Sequence, residues 1–317
     1  MKTRRILALA LSAALSGGTL LAQTPSRIPS QKVAEGVWAS TTPGGANVGW
    51  FDIGGTVVAV DCGTSDEVAR AILDEIQKTA GKKPGYVVVT HAHRDHVGGV
   101  AAFVAAGAQV VSSEKAASGV LTLFSAPKPG ANAPFLMTVS ERTLLVGRGP
   151  RRAEIDYLGP GHTQGDVVVV VPDAGVLFCG DLAASGVLPF LRSDDVDTAG
   201  WEKILQRLAA LKISKLVPGH GVIGPTQGIA DTAAYIARVQ QIATKIAMSG
   251  APESVWEAQM ADPSNVIQNV PLTPDHVENV KAVARRIAAQ RAAPGATSAP
   301  APPARATATP APTPRTP

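Results

Sequence analysis

Three histidines and one aspartate fall within six positions of the stretch THAHRDHVGG, residues 90–99: His91, His93, Asp95 and His96. The chain has six histidines in 317 residues, so half of them stand here. Imidazole is the commonest transition-metal ligand, and a carboxylate completes a site for a hard or borderline ion. His91 and His93 are two residues apart, so in an extended or turning segment both can face one ion. Asp95 and His96 continue into a helix start, where they can face a second. One short loop can therefore serve two metals.

Three distant segments sharpen this reading. GPGHTQGD carries His162, LFCGD carries Asp181 and VPGHG carries His220. Each of these residues follows an apolar strand and adjoins a glycine, which lets the backbone turn sharply and approach a site closely. Five of the six histidines are accounted for in this way. The sixth, His276, reads as a surface residue in the first turn of a late helix. Asp61 in VDCG and Asp166 in HTQGD are candidates to hydrogen-bond and lock the imidazoles. Trp50, Phe190 and Arg192 are candidate pocket residues that the sequence does not place.

The elements that must position these groups follow from periodicity and punctuation. Strands are predicted at GVWAST, NVGWFDI, TVVAVDCG, YVVVT, AQVVSS, PFLMTVS, RTLLVG, AEIDYLGPG, DVVVVVP, GVLFCGD and KLVPGHG. A helix is predicted over 65–80, with Thr64 and Glu67 spaced as a capping box and Gly81 as its stop. VGGVAAFVAAGA makes a short helix. Asp197 caps another through WEKILQRLAALK, and helices follow over about 229–247 and 274–290, the last with Pro274 in its first turn. The order is strands, helix, strand, and then the same again. It predicts two mixed sheets face to face with helices outside, and motifs on loops at one edge.

Composition bounds the function classes. The net charge is +4 and the aromatic content 4%. No long basic run occurs, so the reading has no nucleic-acid partner and takes a small-molecule substrate. Residues 1–22 read as a cleavable signal peptide, with Lys2, Arg4 and Arg5 ahead of a short apolar stretch broken by Gly17 and Gly18. That places the protein in the periplasm or outside the cell, without stable membrane insertion. Residues 23–290 form the folded domain, and residues 291–317 an Ala/Pro/Thr-rich disordered tail. Cys62 and Cys179 read as two buried thiols.

Over about residues 36–225 the chain resembles the metallo-β-lactamase superfamily. The pattern HxHxDH is met by His91, His93, Asp95 and His96, followed in order by His162, Asp181 and His220. The resemblance implies an α/β (α+β) fold, a four-layer αββα sandwich of two mixed β-sheets flanked by helices. It also implies two metal ions, usually zinc, with iron or manganese as alternatives. His91, His93 and His162 would hold the first ion, Asp95, His96 and His220 the second, and Asp181 would bridge. Asp95 would also orient the water and relay its proton. The activity implied is hydrolysis, by a metal-activated water, of an ester-like, lactone, thioester or amide carbonyl. True β-lactamases commonly carry Cys, or an extra His with Ser, where this chain has Asp181, and Ser185 stands where one group has a substrate-anchoring lysine. β-Lactamase activity is therefore the alternative, and a mononuclear-iron persulfide dioxygenase the second alternative.

Overall fold

The computed structural model describes residues 27–123 and 136–292. The predicted signal peptide and nearly all of the predicted tail lie outside the described residues. The chain divides into two compact units, one ending at Ala234 and the other beginning at Tyr235.

The first unit is built on two sheets. Seven strands run in sequence order across the first: β1 (Gln31–Ala34), β2 (Val37–Thr41), β3 (Asn47–Asp52), β4 (Val57–Val60), β5 (Pro84–Val88), β6 (Gln109–Ser113) and β7 (Leu136–Val139). The pairs from β1 to β4 are antiparallel and those from β4 to β7 are parallel. The parallel half needs crossovers, supplied by α1 (Asp66–Ala80), by the short helices α2 (Arg94–Val97) and α3 (Val100–Ala105), and after β6 by α4 (Ala117–Thr122). The second sheet takes β8 (Arg142–Val146), β9 (Arg152–Tyr157), β10 (Val167–Val171), β11 (Val176–Phe178) and β13 (Lys215–Val217), in the order 13-11-10-9-8. A two-stranded ribbon joins β12 (Ala184–Ser185) to β14 (His220–Gly221). Helix α5 (Thr198–Ala209) precedes β13, and α6 (Gln227–Ser249) follows β14.

Alternation along the strands explains the layers. Phe51, Val58, Val60, Val88 and Val111 of the first sheet pack with Ile155, Val167, Val169 and Phe178 of the second in one buried cluster. The Phe51 and Phe178 rings stack there with centroids 5.9 Å apart. The opposite face of the first sheet offers Trp50, Val57, Ala59, Val87 and Val110, covered by Val68, Ile72 and Ile76 of α1 and by Val100 and Phe103 of α3. On the outer face of the second sheet Val168, Leu177 and Leu216 are buried, as are Trp201, Ile204, Leu205 and Leu208 on one stripe of α5. This is the expected αββα sandwich.

Three local expectations change. The N-cap of α1 is Ser65, not Thr64; its hydroxyl accepts from Val68 N–H, three residues on. Gly81 ends that helix in the left-handed conformation, as its position predicts. Trp50 lies in the core, not at a pocket, and its indole N–H donates to Thr79 Oγ1 at 2.8 Å. The short edge strand β1 is absent from the sequence reading because QKVA is only half-buried and shows no alternation. Cys62 and Cys179 are both buried free thiols.

The second unit carries most of α6, then α7 (Trp256–Met260) and α8 (Pro274–Ala292). Ile236, Val239, Ile242 and Ile246 of α6 are buried, as are Trp256, Met260, Val277, Val280 and Val283. His276 corrects the expectation of a surface residue: it is buried, its Nδ1 lies 3.0 Å from Tyr235 Oη, and Asn279 Nδ2 donates to the same hydroxyl.

Candidate metal centre

The four short segments that carry the predicted ligands leave their strands at one edge of the sandwich. Apolar strand β5 runs on through Val89 and Thr90 to His91, and Val89 N–H still bonds Val111 across the sheet. His93 caps α2, which carries Asp95 and His96. After β9 the turn 161–166 holds His162. Beyond β11 the chain turns through Gly180, at φ +50°, into a single 3-10 turn containing Asp181. Past β13 come Pro218, Gly219 and His220. Gly219 N–H donates to Gly180 O at 2.6 Å, so these two loops are in backbone contact. A Cβ on Gly219 would collide with Asp181 Oδ1 and lie 2.6 Å from the Gly180 carbonyl carbon, which leaves no room for a side chain. Asn47 fixes the same loop from the first sheet, donating to Pro218 O and Gly221 O.

The seven residues form two groups. His91, His93, His162 and Asp181 make one; Asp95, His96 and His220 make the other. In the first, His162 Nε2 is 3.0 Å from His93 Nδ1, and Asp181 Oδ2 is 3.4 Å from His162 Nε2 and 3.8 Å from His91 Nε2. In the second, His220 Nε2 is 3.0 Å from Asp95 Oδ2 and 3.4 Å from His96 Nε2. Asp181 turns its other oxygen, Oδ1, toward that group, 3.1 Å from His96 Nε2 and 3.5 Å from His220 Nε2. One carboxylate thus faces both groups, one oxygen to each.

Hydrogen bonds behind the rings decide which nitrogens face inward. The Asp61 carboxylate accepts from Thr90 N–H at 2.8 Å and from Thr90 Oγ1 at 2.9 Å, and lies 2.8 Å from His96 Nδ1. His96 Nδ1 is therefore the protonated nitrogen. Thr90 uses its only O–H on Asp61, so at 3.1 Å it accepts from His91 Nδ1–H. His162 Nδ1–H donates to Phe190 O at 3.1 Å. His91, His96 and His162 consequently turn Nε2 inward. His93 is reversed: its Nδ1 faces His162, and its Nε2 lies 3.3 Å from Ser193 Oγ. Asp166 braces the turn and not an imidazole, accepting from Thr163 N–H at 2.7 Å and Thr163 Oγ1 at 2.9 Å.

Charges follow the burial. Burial, with help from neighbouring imidazoles, holds His91 well below its usual range, and burial brings His162 down to about 4. Burial also acts on His96, but the Asp181 and Asp61 carboxylates outweigh it and hold that ring well above. Burial would raise Asp181, yet the imidazoles around it keep its carboxyl well below the ordinary carboxylate range. Burial pushes Asp166 up to about 8 against its two Thr163 hydrogen bonds.

These residues fit metal cations. Inward-facing imidazole nitrogens lie at hydrogen-bond distance from one another, His162 Nε2 from His93 Nδ1 and His96 Nε2 from His220 Nε2, an arrangement that a shared cation stabilises. His91 Nε2 and Asp181 Oδ1 are buried without a hydrogen-bond partner, two donor atoms turned into the cluster and unsatisfied by it. The set is five nitrogens and two carboxylates, the donors of a transition-metal site.

Above the groups opens a cleft of about 720 Å³ lined by His93, Asp95, Asp181 and His220 at its base and by Val187, Leu188, Pro189 and Phe190 on one wall. Phe190 therefore belongs to the cleft, and Arg192 meets it through Phe190, its guanidinium carbon 4.5 Å from the ring centroid. Thr90, Ser193 and the Phe190 carbonyl were not singled out from sequence; of these only Thr90 carries a signal, as the last residue of the strand that delivers His91.

Comparison with known proteins agrees with this geometry. The family description "Metallo-beta-lactamase superfamily" matches residues 41–220, more than half of the chain. The "Metallo-beta-lactamase type 2" of Bacillus sp. (strain 170) is 29% identical over 256 residues, covering 71% of this chain and 95% of that protein. The human "Acyl-coenzyme A thioesterase MBLAC2" is 29% identical over 168 residues, 46% of this chain and 59% of that protein. Among solved structures, a metallo-beta-lactamase from Pontibacter korlensis superimposes with a TM-score of 0.57 at 25% identity, over 67% of this chain and 99% of that one. FIM-1 from Pseudomonas aeruginosa, in its mono-zinc form, shares the fold with a TM-score of 0.56 at 24% identity, over 68% of this chain and 98% of that one. With two mixed sheets back to back and seven clustered histidine and aspartate side chains at their edge, the chain belongs to the metallo-beta-lactamase superfamily.

Proposed function

We propose that the chain is an exported dinuclear zinc hydrolase of ester-like carbonyl compounds: esters, lactones, thioesters or amides. The observation that carries this reading is Asp181, which faces both ligand groups with separate oxygens. His91, His93 and His162 would hold one ion, and Asp95, His96 and His220 the other, with Asp181 shared between them. Bound there, the cations supply Lewis acidity that lowers the pKa of a water and polarises a carbonyl oxygen. The nitrogen-rich donor set favours zinc over manganese. Export rests on the basic and apolar pattern of residues 1–22.

The remaining work falls to the chain's own groups. Asp95 lies at the base of the cleft, 3.0 Å from His220 Nε2, where it orients the attacking water and accepts its proton. Asp61, Thr90 and the Phe190 carbonyl hold the imidazole tautomers so that no donor nitrogen has to reorganise. The apolar wall excludes water from one side of the scissile bond. The name of the human relative, a thioesterase, supports an ester-like substrate.

A second reading, β-lactam hydrolysis, is favoured by the name of the Bacillus relative and by the 95% of its length that the match covers. One sample separates the readings. The purified chain is analysed for metals by elemental mass spectrometry and assayed on a lactone, a thioester and nitrocefin. About two zinc per chain with lactone or thioester turnover supports the ester-like reading. Dominant nitrocefin turnover replaces it with the second. One iron per chain with oxygen consumption on a persulfide overturns both.

A further inference from the structure

The cleft wall offers more than shape. Between β12 and α5 the chain runs Gly186-Val187-Leu188-Pro189-Phe190, four consecutive apolar residues on a loop. Val187 is 49% exposed and Phe190 38% exposed, although both line the cleft. Val222, 58% exposed, lies beside them: the space a Cβ on Gly186 would fill is 3.6 Å from Val222 Cγ2, and that on Gly221 is 3.2 Å from Val187 Cγ2. Large apolar side chains left in water together, at the lip of a cleft, mark a surface that is covered in use. The wall sits directly against the ligand groups, since the Phe190 ring centroid is 6.2 Å from that of His93 and 6.3 Å from that of His162. Phe190 is also held in place, with the Arg192 guanidinium over one face.

We propose that this rim selects the acyl part of the substrate: the scissile carbonyl carries an apolar chain of several carbons that lies against Val187 and Phe190. The inference rests on the hydrolase reading above and deepens it. A bound chain would cover the side chains the free protein leaves wet, and each methylene so buried adds about two- to fourfold to transition-state affinity. A small or charged acyl group would leave the rim exposed and gain nothing.

The test uses the full metal-loaded chain on thioesters of one thiol with acetyl, butyryl, hexanoyl and octanoyl groups, in the wild type, Val187→Ser and Phe190→Ala. Binding of acetate and octanoate is measured by calorimetry with and without metal. The expected result is a kcat/KM that climbs with chain length in the wild type, with the octanoyl-to-acetyl ratio falling about tenfold in either variant. Turnover that ignores chain length overturns the proposal and leaves the hydrolase reading standing. Absence of thioester turnover, with octanoate still binding more tightly than acetate in a Val187-dependent way, keeps the apolar rim and removes thioesters from the hydrolase reading. Equal binding of both acids with no turnover overturns the rim and removes thioesters from the hydrolase reading.

Discussion

Asp61 stands 2.8 Å from His96 Nδ1 and hydrogen-bonds both the amide and the hydroxyl of Thr90, the residue that accepts from His91. A single buried anion therefore sits behind a ring of each ligand group. It holds this place with a left-handed backbone, φ +62°, one of two such non-glycine residues among those described. Asparagine also tolerates that conformation. Asp61→Asn should thus fold, but it offers His96 an amide in place of an anion. Metal affinity should fall about 10–100-fold, most strongly for the His96 group. Zinc content after dialysis against graded chelator checks this, and unchanged retention of two ions would contradict it.

Asp181→Ala removes the oxygens that face both groups. Neither group should then retain its ion through gel filtration, and turnover of whichever carbonyl substrate is active should fall at least a thousandfold. Circular dichroism should remain that of the wild type, because the side chain contributes no hydrogen bond to the loops around it. A variant that keeps two ions and half its activity would remove Asp181 from the centre.

Gly219→Ala tests the contact between the two loops. The added methyl has backbone on one side and Asp181 Oδ1 on the other, and neither can move aside cheaply. Overpacking of this kind costs about 1–3 kcal/mol. Thermal unfolding should shift down by several degrees, and Asp181 should be displaced enough to lower metal content. An unshifted midpoint would show that the loop relaxes freely.

Metal removal should itself destabilise the chain. Ions that bind only the folded state add about 2.7 kcal/mol at a free concentration of 100 times Kd. Excess chelator should therefore lower the wild-type midpoint, while Asp181→Ala should show little further change. Equal shifts in both proteins would place the effect elsewhere.

His276 supplies a pH dependence within the second unit. Burial holds it below its usual range, so the folded chain binds fewer protons than the unfolded chain as pH falls through about 6.5. Stability therefore rises with pH across that window; the contribution is present above about 6.5 and is lost progressively on acidification. Denaturant titrations at pH 8 and pH 5.5 should differ more for the wild type than for His276→Gln. The acid-labile part is read as the difference between those two curves, since other groups titrate equally in both.

The ligand set was legible because its chemistry is local: each of His91, His162, Asp181 and His220 follows a strand whose end must reach the sheet edge, though the strand before His162 alternates polar and apolar residues. The αββα order was legible for the same reason, as continuous valine runs at β5 and β10 read as strands buried on both faces. His276 was missed although His276, Val280 and Val283 share one helical stripe, because a histidine near a helix start reads as polar surface until its partner Tyr235 is brought alongside. The braces were half legible. Asp61 is adjacent to a strand end, but its partners Thr90 and His96 lie 29 and 35 residues away. Of the apolar wall only Phe190 stood out as a pocket candidate, since residues 187–190 have no periodicity and their exposure is set by loops from elsewhere.

The ligands come from opposite sheets. His91, His93, Asp95 and His96 follow β5 of the seven-stranded sheet, while His162, Asp181 and His220 follow strands of the other. His96 and His220 are 124 residues apart in sequence. Contacts of such separation form late, after much loop entropy has been lost. A folding chain whose sheets have not yet closed offers an ion only the one loop between β5 and α3. The centre is therefore complete only where the two sheets are docked, and any ion held by ligands of both sheets ties one sheet to the other as a rivet across their seam.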